Sequence, residues 1–179
     1  MTTKILVVED DTKHLQDAKI FFQSLEGQVE VVYATSFNDA REQIRKYTVY
    51  TGECSKDDRR GISEYSLDGI ITDIFMPAST RRPEDDRESE YAKRIIDYTT
   101  TNLVPAGIGI AAIANKAGIP FVICTAGYHH GVKYEWINGL SGALEWGDMA
   151  DSSGDHFEDA ASKQWSYAYE LLTERMEKK

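Results

Sequence analysis

KILVVEDD, residues 4–11, places four apolar residues directly before the three acidic residues Glu9, Asp10 and Asp11. The apolar run has the length of one buried β-strand. Like charges at a strand end repel one another and raise each other's pKa unless a cation lies among them. The stretch therefore predicts a buried strand whose carboxyl end is a candidate cation site.

Short apolar runs alternate with amphipathic stretches along the rest of the chain. This alternation is typical of βαβ units, in which helices cover both faces of a parallel sheet. We therefore expect an α/β fold with a doubly wound five-stranded parallel sheet. The flavodoxin-like arrangement of such a sheet implies the strand order 2-1-3-4-5. The predicted strands are residues 5–8, 29–33, 69–74, 120–124 and, on a weaker signal, 143–146.

Apolar residues at steps of three and four predict the helices that cover this sheet. A capping box, SFND at 36–39, starts the second helix, and Gly118 closes the third. We expect the last helix to start near residue 155. The predicted inward-facing residues are Leu15, Ala18, Phe22 and Leu25 in the first helix and Phe157, Ala161, Trp165, Ala168 and Leu172 in the last.

The length of 179 residues suits one domain, 1–179, with polar insertions at about 48–67 and 78–104. No window approaches the roughly 18 apolar residues of a membrane helix, and no secretory signal is recognisable. We expect a cytoplasmic protein that does not contact membranes. Cys54 and Cys124 have no metal-ligand spacing, so both are predicted to be free thiols.

The formal net charge of −10 repels nucleic-acid phosphates. The nearest candidates for a basic patch, the pairs at 59–60 and 81–82, are isolated and lie beside acids. Direct nucleic-acid binding is therefore not expected.

A second acidic strand end lies in DGIITDIFMP, residues 68–77, where Asp73 follows an apolar run. In the expected strand order, ligands bind between the carboxyl ends of the first and third strands. Asp73 would there meet Glu9 and Asp10, and three carboxylates suit Mg²⁺, a hard ion that prefers oxygen ligands. Trp146 is expected to lie near enough to report binding by its fluorescence.

These stretches resemble the receiver domains of two-component response regulators. KILVVEDD is similar to the family's first strand with its paired acids, DIFMP to its phosphoacceptor Asp followed four residues later by Pro, and VICTA to its fourth strand with a hydroxyl residue. The resemblance covers residues 4–47, 68–77 and 105–126. It implies the CheY-like, flavodoxin-like receiver fold.

The resemblance also implies roles for individual residues. Asp73 corresponds to the phosphoacceptor and Thr125 to the switch hydroxyl. Glu9, Asp10 and Asp73 correspond to the Mg²⁺ ligands, together with the backbone carbonyl of Phe75. Asp11 matches no site residue and is interpreted as the start of the first helix, where negative charge is favourable.

Receiver domains usually carry a Lys at the end of the fifth strand, and SGALEWGDMADSSG at 141–154 contains none. We therefore expect Asp73 to be phosphorylated weakly or briefly unless Lys133, Arg81 or Arg82 reaches the pocket. The adjacent pair at 129–130, His129 and His130, could add positive charge near this edge, but a loop position is favoured.

Three functions remain open. The first is a stand-alone receiver, phosphorylated on Asp73 by a histidine kinase or phosphotransfer protein and acting through an unknown output protein. The alternative is a pseudo-receiver, a protein-interaction module not regulated by phosphorylation, which the missing Lys and the rebuilt loops favour. The remote third is a Mg²⁺-dependent phosphohydrolase, which needs a second Asp two residues after Asp73, where Phe75 stands.

Overall fold

The computed structural model describes residues 2–47, 67–76, 105–126, 139, 142, 146–147, 149–151 and 163–178. Within these residues the strands form one parallel sheet of order β2-β1-β3-β4-β5. The predicted fold class and strand order are thus confirmed. The predicted insertions lie outside the described residues, apart from Leu67 at the end of the first. In the described part of the chain, no helix has the length and apolar character needed to cross a membrane.

Four of the five strands lie where the apolar runs predicted them. The bounds are β1 Thr3–Val8, β2 Val29–Ala34, β3 Gly69–Thr72, β4 Phe121–Thr125 and β5 Ala150–Asp151. The strand that pairs with β4 through Cys124 and Thr125 lies later in the chain than predicted, at Ala150–Asp151 rather than 143–146. Residues 143–145 lie outside the described part of the chain. Trp146 is buried without being part of a strand, because its ring packs edge-on against Phe121, with the two ring centroids 5.8 Å apart.

The described helices are α1 Thr12–Gln23, α2 Phe37–Tyr47, α3 Ala106–Lys116 and α4 Trp165–Glu177. Asp11 caps α1, and its side chain accepts the N–H groups of Lys13 and His14. Ser36 caps α2 by accepting the N–H of Asp39 at 3.2 Å. Gly118 follows α3 with φ of 65°, the left-handed conformation that its position after the helix predicted.

The last helix begins later than predicted. Gln164 has φ of −85° and ψ of 74°, so it is not helical, and α4 starts at Trp165 rather than near residue 155. Within α4, the predicted inward-facing residues Trp165, Ala168 and Leu172 are all buried. Residues 152–162 lie outside the described part of the chain.

Each face of the sheet carries its own apolar core. Side chains of α2 and α3 cover one face, and side chains of α1 and α4 cover the other. Alternate residues of each strand contribute to opposite cores, as in β1, where Leu6 and Val8 face α2 while Ile5 and Val7 face α1. Cys124 is a free, buried thiol in the second core, and burial raises its pKa to about 12.

β3 is shorter than the apolar run suggested. It ends at Thr72, so Asp73 is the first residue beyond the strand. The N–H of Asp73 still donates to the carbonyl of Val8 at 3.0 Å, which ties this residue to the end of β1. The carboxyl ends of β1 and β3 therefore lie side by side.

Candidate functional site

The two acidic strand ends meet at the carboxyl edge of the sheet. Val8 pairs with Thr72 in the register of β1 and β3, so the residues that follow each strand leave it at the same level. Carboxylate oxygens of Glu9, Asp10 and Asp73 all lie within 4.8 Å of one another. The predicted convergence of these three residues is confirmed. It lies between the first and third strands, where this strand order places a ligand site.

Glu9 is the most deeply placed of the three acids. Its side chain is 0% exposed, and one carboxylate oxygen accepts the N–H of Asp11 at 3.1 Å. The other oxygen accepts a hydrogen bond from the ammonium of Lys163. Both Glu9 oxygens therefore have protein partners, whereas Asp10 and Asp73 are half-buried at the mouth of the cluster.

Lys163 is the site residue that the sequence prediction missed. Its side chain is 1% exposed, and its ammonium lies 3.1 Å from Oδ1 of Asp73 and also pairs with Glu9. The expectation of a pocket without a lysine is therefore wrong. Lys163 does not lie at the end of the fifth strand, where a lysine was expected, but just before the first turn of α4. A lysine next to the buried start of an amphipathic helix is the signal that could have identified it.

Trp165 fixes this lysine from the helix side. Its ring is 4% exposed in the core beneath the sheet, and the ammonium of Lys163 lies 5.9 Å from the ring centroid. An ammonium over an aromatic face is a favourable contact within about 6 Å. Burial of Trp165 therefore orders the two residues before α4 and directs Lys163 towards the acids.

The charges of the cluster do not balance. Among the described residues, the cluster contains three carboxylates and one ammonium. Its net charge is −2 when all four groups are ionised. Burial raises the pKa of Glu9 to about 7, because the attraction of Lys163 only partly offsets burial and the repulsion of Asp73. Burial and the charge of Asp73 also raise the pKa of Asp10. The pocket thus favours an added positive charge, from protons or from a metal ion.

The pKa of Lys163 moves in the direction expected for a counter-ion. Burial lowers it, but the attractions of Asp73 and Glu9 together outweigh burial, so the pKa is raised overall. Lys163 is therefore charged at neutral pH. One ammonium shared between two carboxylates leaves negative charge on the cluster that a divalent cation beside Asp10 and Asp73 can balance.

The donor set of this cluster fits Mg²⁺. It consists of carboxylate oxygens, which are ligands that Mg²⁺ prefers, and two of the three acids are partly exposed at the mouth. The net charge of −2 matches a divalent ion. Phe75, whose backbone carbonyl is a predicted further ligand, follows Asp73 by two residues, and its side chain packs against the first core. That carbonyl stays a prediction.

The remaining predicted residues fall into three groups. Thr125 ends β4 at the same edge of the sheet and is 4% exposed, which agrees with its predicted position. Trp146 packs at the opposite, amino end of β4, so the expectation that it reports on the acids is wrong. The other candidates lie outside the described residues, namely Arg81, Arg82, His129, His130 and Lys133.

Solved receiver domains share this arrangement of strands and helices. The bacteriophytochrome response regulator matches with a TM-score of 0.52 at 16% identity, covering 97% of this chain and 94% of its own. A CheY-like receiver domain protein from Methanospirillum hungatei JF-1 matches with a TM-score of 0.52 at 14% identity, covering 100% of both chains. The chain has the fold of a response-regulator receiver domain. A signal receiver domain of a putative Luxo repressor protein from Vibrio parahaemolyticus shares this receiver fold, with a TM-score of 0.52, 13% identity and coverage of 99% and 92%.

The receiver fold is recognisable here from structure rather than from overall sequence similarity. No protein-family model and no curated protein matches the sequence. The resemblance drawn from three short motifs is confirmed at the level of the fold. In that fold the acids, Lys163 and Thr125 all belong to the carboxyl edge of the sheet.

Proposed function

We propose that the chain is one receiver domain, over residues 1–179, that accepts a phosphoryl group on Asp73 with the help of Mg²⁺. The observation that carries this proposal is the charged cluster at the switch point of the sheet, with Lys163 3.1 Å from Asp73. A half-buried carboxylate beside two further acids and an ammonium has the charges that phosphoryl transfer to Asp requires.

Asp73 is the proposed nucleophile. One of its carboxylate oxygens forms a bond to phosphorus while the bond from phosphorus to a histidine nitrogen of the donor breaks, giving an acyl phosphate. Such transfer depends mainly on in-line positioning and on neutralisation of charge. Asp10 and Asp73, with Glu9 behind them, would hold Mg²⁺, which would supply part of that neutralisation.

Lys163 and Thr125 are proposed to stabilise the product. The Lys163 ammonium is already within reach of Asp73, so it can pair with a phosphoryl oxygen without leaving the pocket. Thr125, at the end of the neighbouring strand, is proposed to donate its hydroxyl to another phosphoryl oxygen. A shift of Thr125 towards the phosphate would move the chain that follows β4 and so signal the modification.

The competing functions have less support. A pseudo-receiver was favoured by the absence of a lysine and by the rebuilt loops, and Lys163 removes the first of these arguments. A phosphohydrolase needs an acid two residues after Asp73, but Phe75 occupies that position and its side chain packs against the core. The phosphoacceptor function is therefore the one that the cluster supports best.

The proposed partners follow from this function. A histidine kinase or phosphotransfer protein supplies the phosphoryl group, and an output protein reads the modified state. The net charge of −10 supports the absence of direct nucleic-acid binding. We place the protein in the cytoplasm as part of the same proposal.

A small-molecule phosphodonor provides the direct test. The protein is treated with and without Mg²⁺ and its intact mass is measured, with Asp73→Asn as the matched control. We expect one added phosphoryl group that requires both Mg²⁺ and Asp73. No added mass in the wild type, or equal phosphorylation of the Asn variant, would show that Asp73 is not a phosphoacceptor.

A further inference from the structure

The start of α3 touches the main chain of Asp73 with no side chain between them. Gly107, in the first turn of α3, is buried, and its N–H donates to the carbonyl of Ile74 at 2.9 Å. A Cβ added to Gly107 would overlap the carbonyl oxygen of Asp73 and lie 2.7 Å from its carbonyl carbon. These are backbone atoms, which cannot turn aside as a side chain can. Glycine is therefore required for this close approach.

The backbone of Asp73 is thus held on two sides. On the β1 side, the N–H of Asp73 donates to the carbonyl of Val8 at 3.0 Å. On the α3 side, Gly107 contacts the carbonyl group of Asp73 and binds the next carbonyl, that of Ile74. The hydroxyl of Thr72 also donates to the Asp73 carbonyl at 3.0 Å. A larger residue at 107 must displace either α3 or the backbone that carries the Asp73 carboxylate.

We infer that Gly107 is a positioning residue for the carboxylate cluster, an inference that rests on the function proposed for Asp73. By allowing α3 to touch the main chain of Asp73, Gly107 sets the distance of that carboxylate from Asp10 and Lys163. Removing an overlap with a backbone oxygen takes a displacement on the order of 1 Å, and misplacement of that size costs about 100-fold in a reaction that depends on alignment.

Gly109 provides a matched control within the same helix. A Cβ added to Gly109 would lie 2.9 Å from Cε2 of Phe37, the end of a side chain that can turn away. Gly107→Ala and Gly109→Ala therefore make the same chemical change in α3, and only the first presses on Asp73. Both lie outside the set of residues proposed to bind metal or phosphate.

The two variants are compared by Mg²⁺ titration, followed by Trp165 fluorescence, and by the rate of phosphorylation from a small-molecule donor. We expect Gly107→Ala to raise the Kd for Mg²⁺ at least about tenfold and to slow phosphorylation by about 100-fold. Gly109→Ala should stay within about twofold of the wild type in both measurements, since its added methyl group does not reach Asp73.

Titrations are made well below the melting temperature of each variant, because a fold that is only destabilised binds Mg²⁺ with an unchanged Kd while it remains folded. Equal Kd values and rates for the two variants would overturn the positioning role of Gly107 while leaving the proposed function intact. A wild type that neither binds Mg²⁺ nor accepts phosphate would instead overturn the proposed function, and this inference with it.

A measurement on the wild type covers the case in which Gly107→Ala does not fold. In an assigned NMR spectrum of ¹⁵N-labelled protein, saturating Mg²⁺ should shift the amide resonance of Gly107. The reason is that its N–H donates a hydrogen bond to the carbonyl of Ile74, the residue after Asp73. The amide of Gly118, beyond the far end of α3, serves as the reference. A Gly107 shift no larger than that of Gly118 would overturn the inference.

Discussion

Replacement of Lys163 by Met is the most informative change to the proposed site. Met keeps a long, flexible side chain but removes the ammonium that lies 3.1 Å from Asp73 and pairs with Glu9. Lys178→Met is the matched control, because Lys178 lies just after α4 with its side chain 76% exposed, 3.6 Å from Glu174. Exposed pairs of that kind contribute little to stability.

The expected loss follows from the charge that the phosphorylated pocket must hold. A phosphoryl group adds about two negative charges to the cluster, and a single divalent ion does not balance all of them. Hydrogen bonds to charged groups contribute about 1.5–3 kcal/mol. At about 1.4 kcal/mol per tenfold, loss of the Lys163 contact should lower the phosphorylated fraction at equilibrium by roughly 10- to 100-fold.

The same change should have the opposite effect on metal binding. Without Lys163 the ionised cluster has a net charge of −3 instead of −2, so Mg²⁺ should bind more tightly to Lys163→Met than to the wild type. The phosphorylated fraction is therefore measured by intact mass at saturating Mg²⁺, where the difference in metal affinity no longer matters.

A phosphorylated fraction and lifetime in Lys163→Met equal to those of Lys178→Met would refute the reasoning. That result would mean that the phosphoryl group does not use the ammonium beside Asp73. Weakened Mg²⁺ binding in Lys163→Met would separately contradict the assignment of net charge to the cluster.

Three other changes test separate parts of the site. Folding raises the pKa of the Glu9 carboxyl group from 4.5 to about 7. Between these two pH values, Glu9 is therefore more protonated in the folded protein than in the unfolded chain. The free energy of unfolding of the metal-free protein, from urea titrations, should therefore fall as pH rises from about 4.5 to 7, by more in the wild type than in Glu9→Gln; equal slopes would contradict the raised pKa. Trp165→Phe should reduce the fluorescence response to Mg²⁺, and Trp146→Phe should leave it unchanged; the reverse pattern would place the metal elsewhere. Replacement of residues 78–104 by a short turn should leave the sheet folded, as judged by circular dichroism, while changing the phosphorylation rate or partner binding; no change in either would remove the segment from the proposed function.

Local sequence patterns determined the architecture and half of the site. Alternating apolar runs predicted a parallel sheet covered by helices, because each run is long enough to bury one strand and each amphipathic stretch one helix. The strand order came from the flavodoxin-like arrangement of such sheets. The acids at the ends of β1 and β3 could be predicted to lie close together, since neighbouring parallel strands end at the same edge of the sheet. Asp11 and Ser36 were recognisable as helix caps, because capping depends on neighbours within one turn.

Only the tertiary structure decided the positive half of the site and its backbone support. Lys163 meets Glu9 across a separation of 154 residues, which no periodicity records. Its place depends on where β5 and α4 begin, and the pattern placed both starts too early in the chain. For β5 the reason is Trp146, which is buried by packing against Phe121 and is not part of a strand. The contact of Gly107 with Asp73 could not be predicted either, since a glycine in a helical sequence pattern does not indicate which backbone atoms lie next to it. Charge balance and close packing are properties of residues far apart in the chain, and the fold alone brings them together.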